Sequence, residues 1–200
     1  MELKIRDLRA DEIDCRIAQV KSNGLSLLLY KDARCDMNIL DETVGPFNWQ
    51  RTHTRDNANC IVSIYDEDKK QWISKEDTGT ESNTEKEKGL ASDSFKRACF
   101  NWGIGRELYT APFIWVEPSC CEIKQGNPCK CYDKFAVAEI KIENKKIVYL
   151  KIINNSKKGA VVFETGKKIT GTAQATPQAQ PKQEINSTVA EALGGLPFNI

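Results

Sequence analysis

Between Trp49 and Lys75 the chain makes three short strand-like runs, and directly afterwards its apolar period changes from two to about 3.6. The run 49–55 alternates Trp49, Arg51, His53 and Arg55 on one face with Gln50, Thr52 and Thr54 on the other. The run 60–65 reads as a buried strand, and 71–75 follows the polar turn Asp66-Glu67-Asp68-Lys69-Lys70. Over about 84–102, Ala91, Phe95, Ala98 and Trp102 recur at spacings of four, three and four, which puts them on one buried helical face. Gly103 and Gly105 then supply the left-handed or tight backbone that ends a helix. Strands in succession followed by one amphipathic helix admit few layer arrangements. The pattern predicts an α+β fold built on a β-β-β-α unit.

The same helix carries Lys96 and Arg97 side by side, off the Phe95–Trp102 face. A cationic pair on a rigid helix suits a contact to backbone phosphates, although most Lys-Arg pairs on helices are solvated surface. Asp93, four residues before Arg97, predicts an exposed pair worth about 0.3–0.5 kcal/mol. The chain as a whole is not basic. Lys plus Arg number 29 against 28 for Asp plus Glu, a net charge of +1. Any nucleic-acid site must therefore arise by local segregation of charge rather than by net charge.

Outside this unit, Leu8, Ile13, Ile17 and Val20 predict an amphipathic helix over 1–21, with Asp11 as a cap. A strand follows at 25–29, then a short helix at 39–44 closed by the turn Gly45-Pro46. After Tyr109, strands at 113–116, 135–142, 147–153 and 160–163 predict an antiparallel meander. From about Lys167 the composition shifts to Thr, Ala, Gln, Pro and Gly, as in a disordered linker. The expected organisation is a core at 1–112, a β-meander extension at 113–166 and a flexible tail at 167–200.

Eight cysteines occur without any mark of secretion. Cys15, Cys35, Cys60 and Cys99 sit in apolar segments and read as small core residues. Cys120-Cys121 and Cys129-x-Cys131 could grip zinc, but they lack the two-residue spacer of zinc knuckles, and chance clustering in a hairpin is the plainer reading. The acids at 66–68 belong to a turn, and His53, the single histidine, has no acid–nucleophile pair beside it. No phosphate-cradling glycine loop occurs. No catalytic residues and no cofactor are expected. With no apolar run of about 18 residues and no signal-like N-terminus, the chain reads as soluble and cytoplasmic, without a membrane partner.

The element order and the stretch Asp93-x-x-Lys96-Arg97-Ala98 with Gly103 resemble the Rad fifty-two family of single-strand annealing proteins, most closely its phage Sak-type branch. Tyr30-Lys31-Asp32-Ala33-Arg34, followed by a helix and Gly45-x-x-x-Trp49, is similar to the family's approach to its first long strand. Asp77-x-Gly79 is similar to its closing strand, and the resemblance spans about 25–112. It implies DNA-binding roles for Arg34, Lys96 and Arg97. Where eukaryotic members carry another arginine, this chain has Phe100, a candidate base-stacking ring, which shifts weight onto Arg51, Arg55 or Arg106. The resemblance further implies a ring or helical homo-oligomer with single-stranded DNA in an outer groove. It implies ATP-independent annealing in phage recombination and double-strand-break repair, in the bacterial host cytoplasm if the chain is phage-encoded. A host single-strand binding protein or a phage exonuclease would be further partners; Leu196-Pro197-Phe198 is similar to the terminal segment of bacterial single-strand binding proteins.

Two other functions fit parts of the same pattern. One is a passive coat for single-stranded DNA, which shares the cations and aromatics. The other is a zinc-stapled assembly or adaptor protein that uses 113–165 and touches no DNA. A strand-annealing measurement without nucleotide separates all three.

Overall fold

The computed structural model describes residues 3–80 and 86–166. Strands β1 (Asp14–Lys21) and β2 (Gly24–Tyr30) form a hairpin that leads into helix α1 (Ala33–Val44). Three strands follow, β3 (Trp49–Thr54), β4 (Asn59–Asp66) and β5 (Gln71–Thr78), and then the long helix α2 (Lys86–Trp102). A 3-10 turn at Arg106–Thr110 leads to β6 (Ile114–Val116). A two-residue hairpin, β7 (Ile123–Lys124) with β8 (Lys130–Cys131), precedes the meander β9 (Phe135–Glu143), β10 (Lys146–Asn154) and β11 (Ala160–Gly166). The molecule is an α+β protein whose sheets are antiparallel throughout.

The expected β-β-β-α unit is present. Strands lie in the order β3-β4-β5, and β4, buried along Cys60, Val62 and Ile64, takes α2 on one face through Phe95, Ala98 and Cys99. The Trp102 indole N–H donates to the Val62 carbonyl at 3.0 Å, which ties the end of the helix to the middle strand. At the turn, Asp66 Oδ1 accepts from the Asp68 and Lys69 amides, the local bonding that makes aspartate a turn former. The end of β5 approaches α2 so closely that a Cβ at Gly79 would lie 2.5 Å from the Ser94 backbone nitrogen and 2.9 Å from the Leu90 carbonyl oxygen. No side-chain rotation relieves a collision with helix backbone. Gly79→Ala is expected to cost about 1–3 kcal/mol, read as a lowered urea midpoint at unchanged slope.

The first segment departs from expectation. Instead of a helix over 1–21 there is a single 3-10 turn at Ala10–Glu12 and then β1. The helical spacing is produced by a bulge: the register with β2 shifts between Ile17 and Gln19, so Ile17 and Val20, three apart, both turn inward. The first helix also begins earlier than expected, at Ala33, because Asp32 caps it by accepting from the Arg34 and Cys35 amides.

The expected boundary at 112/113 does not divide two cores. Strand β6 pairs with β2 in the order β1-β2-β6, and Leu150 and Ile152 of β10 are fully buried in the same cluster as Leu25, Ile39 and Phe95. The described residues form one compact unit. The expected tail at 167–200 lies outside the described residues, as does the first turn expected for the long helix at 84–85. No helix among the described residues is long and apolar enough to cross a membrane.

Candidate nucleic-acid interface

Helix α2 is held by its apolar face, so the next face around is fixed in direction. Lys96 and Arg97 project from it into a groove of about 660 Å³. Strands β1 and β2 also line it. There Arg16, Leu28 and Tyr30 point away from the core because the strand alternation sends Cys15, Leu27 and Leu29 inward. The 3-10 turn and the residue just before β6 add Tyr109 and Phe113, and α2 adds Phe100. The groove thus brings four cationic residues, Arg16, Lys31, Lys96 and Arg97, and one carboxylate, Asp93, together with four aromatic rings, Tyr30, Phe100, Tyr109 and Phe113.

Arg97 is held from the side by β5. Its Nε lies 3.2 Å from Asp77 Oδ1, and the Asp77 carboxylate also accepts from the Thr78 amide and the Asn101 side chain. The expected pairing of Arg97 with Asp93 gives way to this contact. Asp93 instead accepts from the Thr80 amide and hydroxyl, joining the end of β5 to the helix. No hydrogen bond or ion pair from another described residue engages Lys96 or Arg16.

Beneath the groove lies a buried ion pair. Lys31 donates to both carboxylate oxygens of Asp36, which is fully buried in α1. Burial pushes the Asp36 carboxyl up to about 6, against the pull of Lys31 and, less strongly, of Lys96. The stem of Lys31 runs against Gly105, a left-handed residue (φ 73°) whose missing side chain leaves room for the lysine.

The other cations expected at a DNA site lie elsewhere and have local work. Arg34 is highly exposed at the start of α1 and pairs with Asp32 at 2.7 Å, outside the groove lining. The Arg51 guanidinium covers the Phe95 ring at 4.8 Å. Arg55 sits in the β3–β4 turn with positive φ. Arg106 donates to the Phe100 and Asn101 carbonyls at 2.9 and 3.0 Å, capping the C-terminus of α2, with its guanidinium 5.5 Å above the Phe100 ring. Phe100 does line the groove, half-buried.

Sequence reasoning missed Arg16, Tyr30 and Phe113 as groove residues. For Arg16 and Tyr30 a signal existed, the period-two alternation of a hairpin around Ser22-Asn23-Gly24, hidden by the bulge. For Phe113 no local signal existed.

The cysteine cluster falls on and around the β7–β8 hairpin. The Cys121 thiol donates to the Glu117 carbonyl, and the Cys129 thiol to the Gly126 carbonyl, both at 3.4 Å. All eight cysteines are free thiols, and among the described residues no three His, Cys, Asp or Glu side chains group to hold a metal ion. Cys35, Cys60 and Cys99 are buried as expected, and burial pushes the Cys60 thiol up to about 11.

No family model, no curated protein and no solved structure matches this chain.

Proposed function

We propose that the chain is a Rad fifty-two-like single-strand annealing protein that holds single-stranded DNA in this groove and pairs complementary strands without nucleotide hydrolysis. The observation that carries the reading is the convergence of Lys96 and Arg97 with Arg16 along one open groove, in a molecule whose net charge is only +1. Annealing requires cations that grip the sugar–phosphate track while the bases remain able to sample a second strand. Few cations per subunit suffice when an oligomer repeats them, because linked contacts act through effective concentration. Strands β3 and β5 are the outer strands of their sheet, and such edges favour side-by-side assembly into a ring or helical filament. The physiological setting proposed is phage homologous recombination in the host cytoplasm.

The test mixes two complementary labelled strands in the absence of nucleotide. The expected result is accelerated pairing at protein concentrations that saturate the strands, by a species that light scattering reports as a large homo-oligomer. Slowed pairing would identify a passive coat, and no binding at low salt would remove the DNA reading altogether.

A further inference from the structure

We propose that Tyr109 and Phe113 form a two-ring platform on which unpaired nucleobases stack, next to the phosphate-facing cations. The inference rests on the reading of the groove as a single-stranded nucleic-acid site and assigns its aromatic side.

Tyr109 and Phe113 are 73% and 76% exposed, yet neither ring is loose. Each is backed by a second, half-buried ring. Tyr109 packs against Phe100 in a tilted pair, centroids 4.6 Å apart and planes at 51°, and Phe113 stacks on Trp115 at 6.2 Å with the planes 20° apart. Trp115 is itself fixed, since its indole fills the space that a side chain at Gly24 would occupy. The backbone that carries the two rings is anchored along its length. Glu107, fully buried, accepts from the Leu8 amide at 2.6 Å. The Thr110 hydroxyl donates to the Glu107 carbonyl at 2.7 Å and accepts from the Ile147 amide at 2.9 Å. Pro112 fixes its own φ, and Ile114 pairs with Leu27 in the first sheet.

Rings this exposed and this well supported are prepared to receive a flat partner, because little side-chain entropy remains to be lost on contact. The chemistry of that partner follows from its neighbours. Arg16, Lys96 and Arg97 line the same groove, so the occupant joins aromatic faces to more than one anionic group. A single nucleic-acid strand has both. Stacking is tolerant of sequence because every base offers a π face, and it leaves the hydrogen-bonding edges free to meet a complementary strand. The platform therefore serves annealing, where contacts to base edges would obstruct it.

The experiment compares an ordinary single strand with an abasic sugar–phosphate strand of equal length and charge, by fluorescence anisotropy. The proteins are the full chain and its Tyr109→Ala/Phe113→Ala variant, with Tyr109→Trp/Phe113→Trp as the conservative control. Wild-type protein is expected to prefer the base-bearing strand by about tenfold or more. The alanine variant should lose that preference while keeping the wild-type salt slope, and the tryptophan variant should keep the preference. Equal wild-type affinity for the two strands would overturn the platform and leave the groove reading standing. Failure to bind either strand would overturn both. Retained preference in the alanine variant with a changed oligomeric mass would assign the rings to a subunit contact and overturn the proposal.

Discussion

Replacing Lys96 and Arg97 together by alanine is expected to abolish strand annealing while leaving the fold intact. Neither side chain belongs to the apolar face of α2 that packs through Phe95, Ala98 and Cys99, so the helix keeps its seat on the sheet. A charge-assisted contact is worth about 1.5 kcal/mol, roughly tenfold in affinity, so the loss of two weakens binding roughly 100-fold at low salt. Phosphate contacts carry no sequence information, and the loss should be the same for strands of different sequence. The slope of log affinity against log salt should become shallower by roughly 0.7 for each contact removed. Titrations at several salt concentrations check this, and an unchanged slope would detach both residues from the phosphates. Asp77→Asn is an informative partner variant. It removes the charge that holds the Arg97 guanidinium from the side without removing a cation, so the slope should stay near that of wild type.

The largest loss of stability is expected at the Lys31–Asp36 pair under the groove. Asp36 is fully buried and Lys31 nearly so, and each is the other's counter-charge. Asp36→Ala leaves an ammonium in the interior and should cost about 3–5 kcal/mol. Lys31→Met strands the carboxylate instead, and here pH decides the outcome. Burial already pushes Asp36 up to about 6 in the presence of Lys31, and removing the lysine takes away the strongest pull in the other direction. The folded variant then holds its proton more tightly than the unfolded chain, whose aspartate titrates near 3.9. The stability of Lys31→Met relative to wild type should therefore stay level up to about pH 6, where Asp36 is protonated in both folded proteins, and fall as pH rises from there towards the variant's higher folded-state value. Lys31→Met with Asp36→Leu, which removes both charges, should recover most of the loss. Urea unfolding across pH for the three variants measures each step. A Lys31→Met penalty that does not grow between pH 5 and 8 would contradict the assignment. Lys31 also lies against Gly105, and Lys96 acts on Asp36, so the pair is coupled to residues that line the groove.

How much of this was legible in the chain depended on whether the signal was local. Strands β3, β4 and β5 and helix α2 announce themselves because each turns one face towards the core, fully in β4 and α2 and partly in β3 and β5, and this writes a period of two or 3.6 into the residues. Lys96 and Arg97 are legible for the same reason, as the residues that the helical period leaves off the buried face. Where one inserted residue changes the period, the signal misleads: the bulge at Ile17–Gln19 makes a strand read as a helix and hides Arg16 on its outer side. Single cations are harder still. Arg34, Arg51 and Arg106 look alike as sequence, yet one pairs with its own cap residue, one covers Phe95 and one closes a helix end.

By itself, then, the sequence determined the α+β class, the β-β-β-α unit, the rigid helix with its cationic pair, and a charge balance that requires any anion site to be local. These follow from short-range rules, since periodicity, capping and turn chemistry act over a few residues. Only the tertiary structure decided which cations share a groove and which are consumed by neighbours. It alone decided that β6 closes the first sheet, and that Tyr30, Phe100, Tyr109 and Phe113 line the same groove as Arg16. The meeting of β1, α2 and the Arg106–Thr110 turn depends on packing between segments some 80 residues apart. No local pattern encodes it, because the contacts that fix it are made by the buried sides of those elements, while the groove is built from the sides left over.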